Sequence, residues 1–282
     1  MSAAGGGPSA SAISAEMLLI LGVVGGLVGL YAVNFIGNPI FGPLLAALGG
    51  VCAIVWGADA IRRVAAYGLG TGVPSIGYMS LAIGIIGGLS GLALASSSFL
   101  SGILDPALTA PVLALVLAMV LGLIIALVVK LLKIMKIAVL ERCTAEIAGA
   151  SGLSVICFSA AVAGSYDIVS ILTFVVAPGF IALFFIMNCM AIQHPFNACL
   201  GPNENQVRTL KLAAATGFLA MLITAFVTIV NPTLVFAGIP AWILILIVGL
   251  IGWLIAIKCY ISESLEEAAS VKWAGLWPKV EE

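Results

Sequence analysis

The chain has 282 residues and a formal net charge of -1; 63% of its residues are apolar and 8% are charged. A soluble domain carries about a quarter charged residues, so this composition excludes an ordinary water-facing globule and points to a surface in contact with hydrocarbon. The near-neutral balance also excludes a nucleic-acid partner, because nothing here could neutralise a row of phosphates.

A membrane-spanning helix needs roughly 20 mostly apolar residues. Eight such stretches are predicted in chain order: 17–36, 40–61, 76–98, 107–129, 146–164, 168–191, 209–230 and 239–260. Turn signals separate several of them, at Gly37-Asn38-Pro39, Asp105-Pro106, Gly164-Ser165-Tyr166-Asp167 and Asn231-Pro232. Helices are required, since the stretches are too long for barrel strands and do not alternate. Residues 1–16 read as a flexible cytoplasmic N-terminus, 17–260 as the transmembrane domain, and 261–282 as a cytoplasmic or interfacial tail whose Trp273 and Trp277 suit headgroup depth. No basic residue precedes Arg62, so the start does not resemble a signal peptide.

The eleven basic residues set the orientation. Arg62 and Arg63 follow span 2; Lys130, Lys133, Lys136 and Arg142 follow span 4. Arg208 and Lys211 lie between spans 6 and 7, and Lys258, Lys272 and Lys279 lie at or beyond the end of span 8. All fall on one side, and basic loops stay in the cytoplasm. The expected fold is therefore an all-α membrane protein of about eight transmembrane helices with both ends inside. Weak identities at an offset near 130 (Ala15-Glu16 with Ala145-Glu146, Ala60-Ile61 with Ala191-Ile192) suggest a parallel repeat of two four-helix halves, 17–136 and 145–260. Spans 1 and 3 share a G-x-x-G-G-x-x-G pattern, at Gly22, Gly25, Gly26 and Gly29 and at Gly84, Gly87, Gly88 and Gly91. Such a face lets another helix approach closely.

Ionisable residues at membrane depth are functional candidates because burying them is costly. Asp59 lies near the inner end of span 2, within reach of Arg62 and Arg63 along one helix face. Glu16 and Glu146 open spans 1 and 5, where the helix dipole favours an anion; Arg142 precedes Glu146 by four residues. These acids are either locally compensated interfacial charges or a cytoplasmic mouth of an ion path, and Asp59, Glu146 and Glu16 are the path candidates. The polar loop 193–206 offers Gln193, His194, Asn197 and Asn203 as further candidates. Cys189, His194 and Cys199 match no zinc spacing and lack a fourth ligand, so a metal is left unassigned. His194 has no nucleophile in recognisable triad context, and no catalytic residue is assigned. The six cysteines form no C-x-x-C pair and read as packing residues.

Three segments carry a resemblance: VCAIVWGADAIRRV at 51–64, YGLGTGVPSIGY at 67–78 and AIQHPFNACLGPNENQ at 191–206. They resemble the C subunit of tetrahydromethanopterin S-methyltransferase, and the likeness runs through nearly the whole chain. The resemblance implies an integral membrane component of the complex that moves a methyl group from methyl-tetrahydromethanopterin to coenzyme M, coupled to sodium export across the cytoplasmic membrane. It implies the integral membrane D and E subunits as partners, and a corrinoid carried by another subunit, so that no cofactor is expected on this chain. Coenzyme M is a possible ligand, sodium the coupling ion, and lipids the surroundings. The expected role is in the sodium path or the coenzyme M site, with a structural scaffold that has no ion path of its own as the alternative; the resemblance assigns no ligand positions.

Overall fold

A computed structural model describes residues 11–66, 72–134, 137–193, 205–230 and 239–270, without the side chains of 72–74 and 267–270. These residues form helices α1 (Ala15–Phe35), α2 (Phe41–Ala65), α3 (Gly72–Ala95), the single turn α4 (Ser98–Ser101), α5 (Pro106–Leu131), α6 (Leu140–Ala163), α7 (Ile168–Ile171), α8 (Phe180–Asn188), α9 (Gln206–Val230) and α10 (Ile239–Ser270). Seven of these helices are individually long and apolar enough to cross a membrane. The eighth predicted span is a bent pair, Ile168–Val176 and Phe180–Gln193, turned by 89°.

The bend breaks the span expected over 168–191 into two arms. Pro178 and Gly179 interrupt it; proline removes a backbone donor and clashes with the preceding turn, and Gly179 takes φ +88, a conformation that costs other residues a Cβ clash. Both arms also loosen into π-helical turns, Leu172–Val176 after α7 and Cys189–Gln193 after α8. Two boundaries differ as well. The fifth span begins at Leu140 rather than 146, and the last runs on to Ser270, so ten residues assigned to the tail continue the helix. Trp273 and Trp277 lie outside the described residues.

The helix ends follow from local chemistry. Asp105 caps α5, accepting from Ala107 N at 2.9 Å ahead of Pro106 in the first turn, and Asp167 caps α7, accepting from Ser170 N at 2.9 Å. These are the two acids of the loops without basic residues, and each satisfies a helix N-terminus that would otherwise hold orphan donors.

At the centre stands α6, with 94% of its most apolar stretch buried, against 22% for α10 at the periphery. It packs against α2, α3 and α5, while α1 lies in the angle of α2 and α6; α9 and α10 pair with each other and join the bundle along α2. The glycine patterns make these approaches possible, and each pattern serves two neighbours rather than one. A Cβ on Gly87 would sit 2.6 Å from Ala118 Cα of α5, and one on Gly91 would sit 2.6 Å from Leu113 O. On α3's other side, Gly84 and Gly88 abut α6, where a Cβ on Gly152 would meet Gly84 O at 2.5 Å. In α1, Gly22, Gly25 and Gly29 face α2, and Gly26 faces Leu153 of α6. Close backbone contact is a main source of helix association where lipid is as apolar as the side chains.

Ion pairs between helix ends put Arg62, Arg63, Lys130, Arg142 and Lys211 at one end of the bundle. The opposite end carries Tyr31, Tyr166, Asp105 and Asp167. There a cavity of about 320 Å3 is bordered by Asn34, Ser96, Asp105, Tyr166 and Asp167.

Candidate functional site

The basic end contains a buried charge network built on α2 and α6. The spacing of Asp59, Arg62 and Arg63 on α2 brings both guanidinium groups back to one carboxylate, as i,i+3 and i,i+4 neighbours do on a helix. Arg62 Nε donates to Asp59 Oδ1 at 3.0 Å and Arg63 Nε to Asp59 Oδ2 at 3.0 Å. Asp59 is completely buried, and Arg62, Arg63 and Glu146 nearly so.

Arg63 is the bridge between helices. Its terminal nitrogens reach Glu146 on α6, Nη2 to Oε2 and Nη1 to Oε1, the latter at 3.4 Å. Trp56 Nε1, also on α2, donates to Glu146 Oε2 at 3.1 Å. Because α6 extends back to Leu140, Arg142 is helical and its Nε meets Glu146 Oε1 at 2.8 Å. Arg142 Nη2 then reaches Glu16 Oε1 on α1 at 2.9 Å. The three acids named from sequence are thus linked in one chain of contacts: Asp59 to Glu146 through Arg63, and Glu146 to Glu16 through Arg142. Three carboxylates face three guanidinium groups.

Gln206, the first residue of α9, closes the network from a fourth helix. Its Nε2 donates to Asp59 Oδ1 at 3.0 Å and to Ile13 O at 2.9 Å, while its Oε1 accepts from Ile13 N at 2.9 Å. Arg62 Nη2 also reaches Ser11 Oγ at 3.3 Å. Neither Gln206 nor Trp56 was singled out from sequence. Both are nitrogen donors near the basic end of otherwise apolar helices, where a polar side chain needs a partner.

Of the polar-loop candidates, Gln193 is buried at the end of the π-helical turn, against α3: a Cβ on Gly77 would lie 2.9 Å from its Oε1. His194, Asn197 and Asn203 lie outside the described residues. The three segments that carry the resemblance meet here. One supplies Trp56, Asp59, Arg62 and Arg63, the second Gly77, and the third Gln193 and Gln206.

The chemistry of the network is that of a closed set. Each carboxylate oxygen of Asp59 and Glu146 already accepts at least one N–H. An entering cation would have to displace a guanidinium group. Among the described residues no three His, Cys, Asp or Glu side chains are grouped to hold a metal ion. Breaking one partner of such a buried pair costs about 3–5 kcal/mol, because the other is left charged and uncompensated.

A second polar contact lies deeper. Ser154 of α6 donates to the amide oxygen of Asn188, whose Nδ2 donates to Phe184 O at 2.9 Å. Asn188 is the last residue before the second π-helical turn. Single π turns inside helices recur at functional sites.

The sequence model of the family formed by the C subunit of tetrahydromethanopterin S-methyltransferase matches residues 1–281. The C subunit of that enzyme from Methanothermobacter thermautotrophicus is 58% identical over 283 aligned positions, covering 100% of both chains. Its counterpart from Methanosarcina mazei is 44% identical over 100% of this chain and 99% of its own length. That of Methanococcus maripaludis is 38% identical over 100% of each.

Proposed function

The chain belongs to the family of the tetrahydromethanopterin S-methyltransferase C subunit, and from that premise we propose that its role is to anchor the membrane part of a sodium-exporting methyltransferase. It is an integral membrane component of a methyltransferase complex. In the proposed role it works beside the membrane D and E subunits, holds no cofactor, and leaves the corrinoid and the methyl chemistry to other subunits. The basic end of the bundle faces the cytoplasm, so both chain ends lie inside. Two related four-helix halves fit one feature: the matched residues Glu16 and Glu146 share Arg142.

The observation that carries the anchoring role is that Asp59 and Glu146 are buried and wholly occupied by Arg62, Arg63, Arg142, Trp56 and Gln206. Such carboxylates hold helices together and are not open to a passing ion. The test uses the assembled complex in membrane vesicles. Asp59→Asn and Glu146→Gln are expected to lower the amount of assembled complex and its Tm, while the sodium moved per methyl transferred stays the same in what assembles. Uncoupled turnover in a fully assembled complex would reject the anchoring role.

A second reading rests on the bent pair. Broken helices line substrate and ion sites in transporters, and here Asn188 and Ser154 provide buried oxygens next to a π turn. On that reading sodium passes along α6 and α8 towards Glu146, Asp59 and Glu16, and coenzyme M binds at the cytoplasmic loop 193–206. Asn188→Leu would then abolish sodium-dependent turnover without loss of assembly.

A further inference from the structure

Residues 11–14 precede the first helix, and nothing in their composition predicts that they bind anything. Yet three of the four are tied down, Ser11, Ile13 and Ser14. Ile13 gives both its backbone groups to the amide of Gln206, N–H to Oε1 and C=O to Nε2, each at 2.9 Å. This is the pairing that one strand residue makes with another, with a side-chain amide as the partner. Ser11 Oγ accepts from Arg62 Nη2 at 3.3 Å. Ser14 caps α1 by accepting from Met17 N at 3.2 Å, and Glu16, two residues further on, holds Arg142 at 2.9 Å. The segment itself is exposed on its outer side, while Asp59 and Arg62 are fully buried.

We propose that residues 11–14 form a detachable strap over the cytoplasmic side of the Asp59–Arg62 pair, with Gln206 as its clasp. Two features make the clasp a point of control. Its two Nε2–H groups donate one to Ile13 O and one to Asp59 Oδ1, so a movement of Gln206 that frees the strap also removes a donor from the aspartate. The residue before it is held elsewhere: Asn205 Nδ2 donates to Glu263 Oε1 of α10 at 3.2 Å, and that contact gives α9 a fixed point about which Gln206 can swing. Strap bound and strap released are therefore two discrete arrangements.

The experiment uses the assembled complex in everted membrane vesicles, whose cytoplasmic face is accessible. A water-soluble carbodiimide with an amine nucleophile marks accessible carboxyl groups, and mass spectrometry reads the marking at Asp59. Hydrogen–deuterium exchange reads the Ile13 amide. With the strap in place, Asp59 stays unmarked and Ile13 exchanges slowly. Gln206→Ala removes three hydrogen bonds and is expected to raise both rates roughly tenfold or more. Ile13→Pro removes the strap's donor without touching a helix and is expected to raise the marking of Asp59 to the same extent. Marking of Asp167, at the opposite end, stays constant throughout. If Asp59 stays unmarked in assembled complexes of Ile13→Pro, the strap does not cover it and the proposal fails. The same holds if Ile13 already exchanges freely in the unaltered complex. Should Gln206→Ala prevent assembly, Ile13→Pro decides alone, because that residue lies outside every helix.

Discussion

The hydroxyl of Tyr166 donates to the carbonyl oxygen of Ala107, which is the acceptor left without a helical partner by Pro111. In a regular helix the N–H at 111 would bond the carbonyl at 107, and proline has no N–H to give. Pro111 therefore sits inside α5 with its defect met by a side chain from another loop. Tyr31, whose ring stands perpendicular to that of Tyr166 at 6.3 Å, donates to the next carbonyl, Leu108 O, at 2.6 Å. The proline defect thus pins Tyr166 to α5, and Tyr31 fastens α1 to the neighbouring carbonyl.

Tyr166→Phe is expected to lower stability by about 0.5–1.5 kcal/mol, since it takes the donor from a partly buried carbonyl. The cost is expected to shrink when Pro111→Ala restores the missing N–H. Melting of the solubilised complex in a double-mutant cycle checks this; an equal cost in both backgrounds would disconnect Tyr166 from the proline.

The same hydroxyl predicts a pH effect. Burial pushes its pKa up to about 12, with Tyr31 and Asp105 nearby adding to the rise. The folded state thus favours the protonated phenol. Its contribution is complete below about pH 10, where the unfolded tyrosine also keeps its proton, and is lost as pH rises towards the folded value. The stability difference between the unaltered chain and Tyr166→Phe should therefore be constant through neutral pH and narrow above about pH 10. A difference that widened with alkalinity would contradict the assignment.

Arg63→Met strips a donor from Asp59 and two contacts from Glu146, and is expected to destabilise by about 3–5 kcal/mol. Arg63→Lys keeps the charge and loses the planar fork that spans both carboxylates, so it is expected to recover only part of that loss. Pairing Arg63→Met with Glu146→Gln is expected to recover some stability, because the second change removes the stranded charge. Yield and Tm of the assembled complex are the measurements.

Gly91→Ala and Gly87→Ala push a methyl group into the backbone of α5, which cannot yield as a side-chain tip can. Each is expected to cost about 1–3 kcal/mol or more and to impair assembly. Gly102→Ala, with nothing nearer than Ser98 O at 3.6 Å, is expected to be silent. Loss of assembly with Gly102→Ala and none with Gly91→Ala would reverse the packing account.

Hydropathy located the helices well because lipid imposes a simple length rule: the predicted 17–36 is Ala15–Phe35, and 209–230 is Gln206–Val230. The break at Pro178-Gly179 was hidden by the same rule, since two apolar arms at a right angle have the composition of one straight span. The local half of the site was also legible. Asp59 with Arg62 and Arg63, and Arg142 with Glu146, are neighbours by helical spacing. The contacts that turn these pairs into one network were not legible, because Arg63 and Glu146 are 83 positions apart and Asp59 and Gln206 are 147 apart. The glycine pattern showed that α3 would be approached closely, but not that Gly87 and Gly91 serve α5 while Gly84 and Gly88 serve α6. Which neighbour occupies each side depends on the whole bundle.

The matched charges at the basic end bear on how the complex feels the membrane voltage. Moving one elementary charge through the full potential is worth about 2.3 kcal/mol per 100 mV. Asp59, Glu146 and Glu16 against Arg62, Arg63 and Arg142 sum to zero, so shifting this knot as a unit along the field performs no net electrical work. Voltage therefore exerts no net pull on the knot while it moves as one body, and only a rearrangement that draws its unlike charges apart along the field exchanges work with the membrane potential.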